Sequence, residues 1–330
     1  NAIVTDCHFL FQSEARISIV IPAYNEEQRI LPLLQKLGSL RTPAEEIELI
    51  VVDDGSSDRT SDLCRQEIDN QFPKGKLIML ERNSGKGSAL RVGIAAVSSP
   101  VVITMDADMA TDLSAMEPAL RGLQTHHIVV GSRTIEGSET QGISSIRKCI
   151  TTGFSLFLRF LTRYKISDTQ CGFKAYRSPV AKALFSSSRV KGFAQDAEIL
   201  DLGHRHDCSI LEIPVRWTSV PGSKVNLVRD SLSSFLEFIW YRLNSGRRKL
   251  IYGISLLKHG AEGIEDVKGI LEFFPPESIY IRCGSKIEIL MPDIARSEIE
   301  KIAEAFYTKF PDCEARICSR TIRDLSTVVN

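Results

Sequence analysis

Short runs rich in valine and isoleucine alternate with helix-length amphipathic segments from Arg16 to about Ser132. This alternation is typical of parallel strands joined by helices. The near-continuous apolar content of the runs favours a sheet that is covered on both faces. The pattern predicts an α/β domain with a mostly parallel central sheet, whose first strands are 17–21, 47–52, 77–81, 101–105 and 128–130.

Two later segments have a helical period with one apolar face. Segment 142–167 contains five cations and no carboxylate, and segment 229–243 carries four aromatic residues and runs into Arg247, Arg248 and Lys249. Cationic amphipathic helices bind anionic lipid, so both segments are candidate membrane-surface helices. The alternative, with equal weight, is that both pack on the sheet and show their charges to water.

The last part of the chain, 246–330, is predicted to be a small α+β module that follows a larger domain at 1–245. It contains no catalytic constellation, and packing or self-association into a homo-oligomer is its expected role, with a regulatory role as the alternative. Its predicted elements are a helix at 264–274, a hairpin at 279–291 that turns at Gly284 and Ser285, a helix with Ile299, Ile302, Phe306 and Phe310 on one face, and a strand near 313–318.

Charge and composition exclude several classes of protein. Lysine plus arginine equals aspartate plus glutamate at 41 each among 330 residues, which argues against a nucleic-acid binder. No apolar run approaches the ~18–20 residues that span a bilayer, and no signal peptide is evident. The eight cysteines form no zinc-ligand pairs, which favours reduced thiols. We expect a cytoplasmic protein that is peripheral on the cytoplasmic face of a membrane.

Carboxylates follow two of the predicted strands. Asp106, Ala107 and Asp108 come directly after strand 101–105, and Asp53 and Asp54 end strand 47–52. The carboxyl ends of parallel strands meet at one edge, where ligands of such sheets bind. Two carboxylates one residue apart can share a hard divalent ion, so Asp106 and Asp108 are predicted to bind Mg²⁺ or Mn²⁺.

A glycine-rich connection, Asn83-Ser-Gly-Lys-Gly-Ser-Ala89, links a strand to a helix and carries one cation. It lacks the spacing of an NTPase phosphate loop. A helix N-terminus with its backbone amides near a pyrophosphate fits this segment instead.

Residues 16–243 resemble glycosyltransferase family 2, in particular its polyprenyl- and dolichyl-phosphate sugar synthases, and most of all the dolichyl-phosphate β-glucosyltransferase branch. The order and spacing of several motifs carry this resemblance. These motifs are Val20-Ile-Pro-Ala-Tyr-Asn-Glu26, Val51-Val-Asp-Asp-Gly-Ser-Ser-Asp58, Asn83-Ser-Gly-Lys-Gly87, Asp106-Ala-Asp108, Gly131-Ser-Arg133, Asp168-Thr-Gln-Cys-Gly-Phe-Lys174 and Pro221-Gly-Ser-Lys224.

The resemblance implies a fold of the GT-A type with a nucleotide-sugar site. The implied residues divide by role. The nucleoside is held by Pro22, Tyr24, Glu26 and Asp53; the diphosphate and its metal by Asp106, Ala107 and Asp108, with positive charge from Arg133 and Lys224; and the lipid phosphate by Arg147 and Thr151. Asp108 and Arg147 are the implied catalytic residues. Asp108 would act through the metal that stabilises the leaving nucleoside diphosphate, and Arg147 through its charge at the lipid phosphate.

The family inverts the anomeric configuration of the sugar in one displacement. A phosphate acceptor is already anionic and needs positioning more than a base, whereas a hydroxyl acceptor needs a general base. Asp196 is the candidate base, and otherwise it orients the acceptor or a loop. Transfer of a hexose to polyprenyl or dolichyl phosphate is the leading hypothesis. The alternatives are a soluble or polysaccharide hydroxyl acceptor and a non-catalytic nucleotide-sugar sensor.

Three positions bear on the donor. The mannosyl branch has glutamine where this chain has Ala110, and an arginine where it has Val220, which favours UDP-glucose over GDP-mannose. The glucosyl branch has an aromatic residue where this chain has Gln195. UDP-glucose is the expected donor, and GDP-mannose is the alternative.

Overall fold

The computed structural model describes most of the chain up to residue 244 and the main elements beyond it. The described residues are 17–40, 47–142, 153, 157–158, 166–221, 227–244, 251–258, 279–283, 286–291, 296–309 and 313–320.

Helices and strands alternate through the first half of the chain. The helices are α1 (Ile30–Gly38), α2 (Thr60–Gln71), α3 (Lys86–Ala95), α4 (Met116–Gly122), α5 (Ser178–Ser187), α6 (Gln195–Arg205), α7 (Leu227–Asn244) and α8 (Arg296–Lys309). The strands are β1 (Ile17–Ala23), β2 (Ile47–Asp53), β3 (Lys76–Met79), β4 (Val101–Thr104), β5 (Ile128–Ser132), β6 (Glu139–Gln141), β7 (Lys174–Arg177), β8 (Ile210–Pro214), β9 (Arg216–Thr218), β10 (Ile251–Lys258), β11 (Ile279–Cys283), β12 (Lys286–Met291) and β13 (Cys313–Arg320).

Seven strands form the central sheet in the order β3-β2-β1-β4-β7-β5-β8. All neighbouring pairs are parallel except the two that involve β7, which runs antiparallel to β4 and β5. The five strands predicted from the sequence are all present, and the prediction of an α/β fold with a mostly parallel sheet is confirmed. Strands β6 and β9 pair separately as a short parallel ribbon.

Helices cover both faces of the sheet around β1. Ile19 and Ile21 belong to the same buried core cluster as Leu34 of α1. Val20, between them, points the other way because side chains alternate along a strand. It meets α3, where a Cβ on Gly93 would lie 2.4 Å from Val20 Cγ1. This alternation explains why the strand is apolar at nearly every position.

The strand ends that carry the polar motifs lie along one edge. Ala23 is in register with Asp53, and Val20 with Thr104, so the loops after β1, β2 and β4 emerge side by side. Strand β7 starts at the same edge, with Lys174 opposite Thr104. Because β7 is antiparallel, the loop that precedes it reaches this edge as well.

The chain divides into two compact units. The larger comprises Ser13–Ser178 and Ser188–Ser245, and the smaller includes Pro179–Ser187 and Gly246–Asn330. The assignment of a catalytic domain to 1–245 and a separate module to 246–330 stays a prediction.

The smaller unit contains a four-stranded antiparallel sheet in the order β11-β12-β10-β13, with α8 against β10 and β13. The predicted hairpin, the helix after it and the final strand are present. Strand β10 was not predicted from the sequence, and the helix predicted at 264–274 lies outside the described residues. The proposal that this unit mediates self-association stays a prediction.

Candidate active site

The loops after β1 and β2 are fastened to each other by side chains. The backbone N–H of Asn25 donates to Ser56 Oγ at 2.8 Å, and the Ser57 N–H donates to Asn25 Oδ1 at 2.8 Å. Asn25 itself has a φ of 53°, a conformation that asparagine tolerates better than most residues. The two loops therefore form one rim beside the sheet edge.

The Asp53 carboxylate stabilises this rim through hydrogen bonds. It is buried, and its carboxylate accepts from the Ser56 N–H at 2.9 Å and from the Ser61 hydroxyl. The side chain predicted to bind the nucleoside thus lies at the rim, with both of its oxygens engaged by the protein. A nucleoside role for Asp53 stays a prediction.

Asp54 ties the rim to the glycine-rich segment. Its carboxylate accepts from the backbone N–H groups of Ser84 and Gly85, both at 2.8 Å. Burial raises the pKa of Asp54, although these hydrogen bonds oppose the shift. Gly55 follows with a φ of +73°, and a Cβ there would lie 2.6 Å from the Arg82 backbone. Glycine is therefore required in this turn.

Tyr24 and Glu26 occupy different environments on the rim. Tyr24 is 41% exposed, so its ring offers a face on which a nucleobase can stack, and Pro22 is half-buried beside it. The Glu26 carboxylate accepts from Arg29 Nε at 2.7 Å, and Arg29 Nη1 lies 3.4 Å from Asp108 Oδ2. Glu26 is thereby linked to Asp108 through one guanidinium, a connection that the sequence did not reveal.

Asp106 and Asp108 follow β4 with Ala107 buried between them. The side chain of Asp106 is 44% exposed and that of Asp108 is 24% exposed. Burial and the neighbouring charge of Asp106 raise the pKa of Asp108. Asp108 also accepts from the Ala110 N–H at 3.0 Å, which fixes the turn around Met109, whose φ is 54°.

This pair fits a magnesium or manganese ion. In the described part of the chain no group of three or more His, Cys, Asp or Glu residues forms a cage. Mg²⁺, however, is usually held by one or two carboxylates and completes its shell with water and phosphate oxygens. Two partly exposed carboxylates at a sheet edge supply that donor set.

A buried network of lysines and aspartates adjoins Asp106. Lys86 Nζ lies 2.9 Å from Asp106 Oδ1 and 3.0 Å from Asp196 Oδ2, and Lys174 Nζ lies 2.6 Å from Asp196 Oδ1. Burial alone would raise the pKa of Asp196, but the charges of Lys174 and Lys86 outweigh burial and lower it. Asp196, predicted as the base, therefore has both oxygens occupied by ammonium groups.

Lys86 and Lys174 were not among the predicted site residues. Lys86 was visible as the one cation of the glycine-rich segment. Lys174 had a fainter signal, a lysine between Phe173 and Ala175 in an apolar stretch, and it is fully buried in β7.

Arg133 forms an ion pair with Asp168 and donates three hydrogen bonds to it. Its backbone N–H, Nε and Nη2 donate to the Asp168 carboxylate at 3.0, 2.6 and 2.9 Å, and its guanidinium lies over the Trp217 ring at 5.6 Å from the centroid. Burial opposes ionisation of Asp168, but the bonds and charge of Arg133 lower its pKa. Burial opposes the charge of Arg133, but the hydrogen bonds and charge of Asp168 raise its pKa, and Asp106 adds a smaller contribution. A role for Arg133 near the phosphates stays a prediction.

A cavity of about 450 Å³ opens beside Asp108. Its wall includes the cations Arg29 and Lys36, the amide of Gln141 and the aromatic Trp217. A mixture of aromatic, amide and charged groups suits the sugar or phosphate portion of a ligand that is held at Asp108.

Helix α7 presents a second apolar face to solvent. Leu232, Leu236, Trp240 and Leu243 recur at helical spacing and are 58%, 58%, 53% and 81% exposed. The opposite face is buried through Phe238 and Tyr241. Hereafter these four exposed residues are called the α7 stripe.

Three predicted site residues, Arg147, Thr151 and Lys224, lie outside the described residues, as does most of segment 142–167. Phe157 of that segment is described, and its ring lies 4.2 Å from that of Phe235 on α7. No helix in the described part of the chain is both long enough and apolar enough to cross a membrane.

Residues 18–185 match the model of the family described as Glycosyl transferase family 2. The human dolichyl-phosphate beta-glucosyltransferase is 36% identical over 225 residues, which cover 64% of this chain and 69% of that protein. The protein of the same name from Saccharomyces cerevisiae is 31% identical over 257 residues, 70% of this chain and 75% of that protein.

Solved structures show a similar fold. Glucosyl-3-phosphoglycerate synthase from Mycobacterium tuberculosis in complex with UDP superposes with a TM-score of 0.54 at 20% identity, covering 72% of this chain and 84% of that chain. A complex of the same synthase with Mn²⁺, UDP-glucose and phosphoglyceric acid has a TM-score of 0.54 at 17% identity, with coverage of 72% and 83%.

Proposed function

This chain belongs to glycosyltransferase family 2, and we propose that it transfers glucose from UDP-glucose to a dolichyl or other polyprenyl phosphate with the aid of a divalent metal. The observation that carries this proposal is the similarity to dolichyl-phosphate beta-glucosyltransferases, which reaches 36% identity over 225 residues. The polar edge of the sheet, with exposed Tyr24 on one side and Asp106 and Asp108 on the other, supports it.

The donor would lie along this edge. Tyr24 would stack on the base and Pro22, Glu26 and Asp53 would line the nucleoside, while Asp106 and Asp108 would hold Mg²⁺ or Mn²⁺ on the diphosphate. A bound metal supplies charge stabilisation for the departing nucleoside diphosphate. The solved complexes of the mycobacterial synthase contain Mn²⁺ and UDP-glucose, which supports this choice of metal and donor.

The state of Asp196 favours a phosphate acceptor over a hydroxyl acceptor. A general base needs an accessible oxygen with a pKa near the working pH. Asp196 is buried, binds two ammonium groups and has a lowered pKa. A phosphate monoester is already an anion at neutral pH, because its second pKa is about 6. We propose a single inverting displacement in which Asp196 positions its neighbours and the acceptor supplies its own negative charge.

The α7 stripe supports peripheral attachment to an anionic membrane. A polyprenyl chain resides in the bilayer, so the enzyme must approach the surface to meet its phosphate. Leucine and tryptophan on one exposed helix face are the residues that enter the headgroup region, and Arg247, Arg248 and Lys249 follow in the sequence. Arg147 and Thr151 are proposed to meet the lipid phosphate, and Lys224 the donor phosphates.

The donor and acceptor are tested with the purified chain, Mn²⁺, and each pairing of UDP-glucose or GDP-mannose with dolichyl phosphate or a soluble sugar. We expect turnover with UDP-glucose and dolichyl phosphate. Turnover with GDP-mannose would refute the donor assignment, and turnover with the soluble sugar alone would refute the acceptor assignment. Donor binding without turnover in any pairing would favour the sensor hypothesis.

A further inference from the structure

Lys86 is a largely buried ammonium between two carboxylates. Its side chain is 15% exposed, and Nζ lies 2.9 Å from Asp106 Oδ1 and 3.0 Å from Asp196 Oδ2. Asp196 binds Lys174 through its other oxygen at 2.6 Å, and Lys174 also donates to the Cys171 carbonyl. Charges of opposite sign thus alternate along Asp106, Lys86, Asp196 and Lys174.

The backbone holds Lys86 in this place from both sides. The Gly87 N–H donates to the Lys191 carbonyl at 2.7 Å. Gly85 has a φ of +95°, and a Cβ there would clash with the same carbonyl oxygen at 2.4 Å. Lys191 lies just before α6, the helix that carries Asp196. The position of the ammonium is therefore set by the fold.

The two carboxylates that bind Lys86 differ in their exposure to solvent, and therefore in their access to a ligand. Asp196 is only 7% exposed in its side chain, whereas Asp106 is 44% exposed. A cation that arrives from solvent can reach Asp106 but not Asp196. A divalent ion on Asp106 would lie within a few ångströms of the ammonium, where two positive charges repel strongly in a partly buried site.

We propose that Lys86 is the resident counter-ion of Asp106, anchored by Asp196 and displaced from Asp106 when a divalent metal binds. The inference rests on the metal site of the proposed function. Without metal, Lys86 offsets the repulsion between Asp106 and Asp108. With metal, Lys86 keeps its bond to Asp196. The metal must compete with Lys86, so it binds weakly alone and more tightly when a diphosphate adds negative charge.

Manganese binding tests this competition directly. The full chain is titrated with Mn²⁺ alone by calorimetry, as wild type, Lys86→Met and Lys86→Gln. Both substitutions remove the competing charge, so we expect the Kd for Mn²⁺ to fall about fivefold or more. Lys76→Met is the matched control, because Lys76 also pairs with a buried carboxylate, Glu48 at 2.7 Å, at the opposite end of the sheet. Its Kd should equal that of wild type.

A double-mutant cycle tests the anchoring role of Asp196. Asp196→Asn leaves Lys86 bound to Asp106 alone, so it should weaken Mn²⁺ binding in the wild-type background and have little effect beside Lys86→Met. Equal weakening in both backgrounds would contradict the anchor.

Mn²⁺ affinity tests the counter-ion role of Lys86 independently of glucose transfer. An unchanged or weaker Mn²⁺ affinity in whichever Lys86 variant folds, or no Mn²⁺ binding by any form, would overturn it. These titrations need neither sugar nor lipid. Failure of transfer with the expected change in Kd would therefore reject the proposed function and leave the counter-ion role intact.

Discussion

Gly172 offers a way to move the metal site without unfolding the protein. A Cβ at this position would lie 2.0 Å from Asp106 Oδ2, whereas ordinary contacts begin near 3.4 Å, so the carboxylate would have to move by about 1.4 Å. Gly172 does not adopt a positive φ, so alanine meets no backbone strain there. The atoms in its way belong to a half-exposed side chain that is able to turn aside.

The expected cost falls on activity rather than stability. A displacement of about 1 Å in a catalytic constellation can lower the rate roughly a hundredfold, or about 2.7 kcal/mol in the activation barrier. Alanine at a compatible backbone position changes the free energy of unfolding by no more than about 1 kcal/mol. We therefore expect Gly172→Ala to have a near-normal unfolding midpoint, weakened Mn²⁺ binding and a kcat/KM about a hundredfold lower.

The assay compares Gly172→Ala with Gly153→Ala, whose added Cβ would meet nothing within 4 Å. Unfolding by urea, Mn²⁺ binding and initial rates of glucose transfer are measured for wild type and both variants. A Gly172→Ala enzyme with wild-type kcat/KM and Mn²⁺ affinity would refute the assignment of Asp106 to the metal. A large loss of stability would refute the argument that only the carboxylate has to move.

Three further predictions concern the nucleobase of the donor, the ion pair between Arg133 and Asp168, and the membrane. Tyr24→Ala should raise the KM for UDP-glucose with little change in melting temperature, because its ring is exposed; an unchanged KM would exclude stacking. Asp168→Asn leaves the largely buried Arg133 without its charged partner, so it should lower the free energy of unfolding in urea by about 3–5 kcal/mol at neutral pH. Arg133 lowers the pKa of Asp168 below 3.8. The ionised Asp168 therefore stabilises the fold fully above about pH 4, and this contribution is lost as the pH falls. The free energy of unfolding of the variant should thus decrease less steeply in acid than that of wild type. Replacing Leu236 and Trp240 by serine should reduce binding to phosphatidylserine vesicles at least tenfold, since each apolar side chain contributes about 1.5–3 kcal/mol; equal binding would reject the α7 stripe as the membrane surface.

The sequence predicted the sheet better than it predicted the network within the site. Strands β1, β2, β4 and β5 are continuous apolar runs, because both faces of each are covered, and such runs are readable without a structure. Strand β7 was missed, since its four residues include Lys174 and Arg177, both buried. A buried charge in a strand is stabilised by partners that are distant in the chain. Local periodicity does not reveal such partners, so the strand could not be predicted from it.

The site residues divide in the same way. Asp106 and Asp108 could be predicted from their place after an apolar strand. The contacts of Asp106 with Lys86, and of Asp108 with Arg29, join positions 20 and 79 residues apart and depend on how helices pack on the sheet. The contacts of Asp196 with two lysines likewise follow from the fold, and they are the reason why we propose a positioning role for that carboxylate.

Measurement of lipid-linked glucose tests whether this protein transfers glucose to dolichyl phosphate. The purified chain is given labelled UDP-glucose, Mn²⁺ and dolichyl phosphate in vesicles, with Asp108→Ala as the matched variant, and the label in the organic extract is measured. We expect label that depends on dolichyl phosphate, disappears with chelator and is lost in Asp108→Ala. Extractable label that persists without dolichyl phosphate, or that Asp108→Ala forms at the wild-type rate, would contradict it.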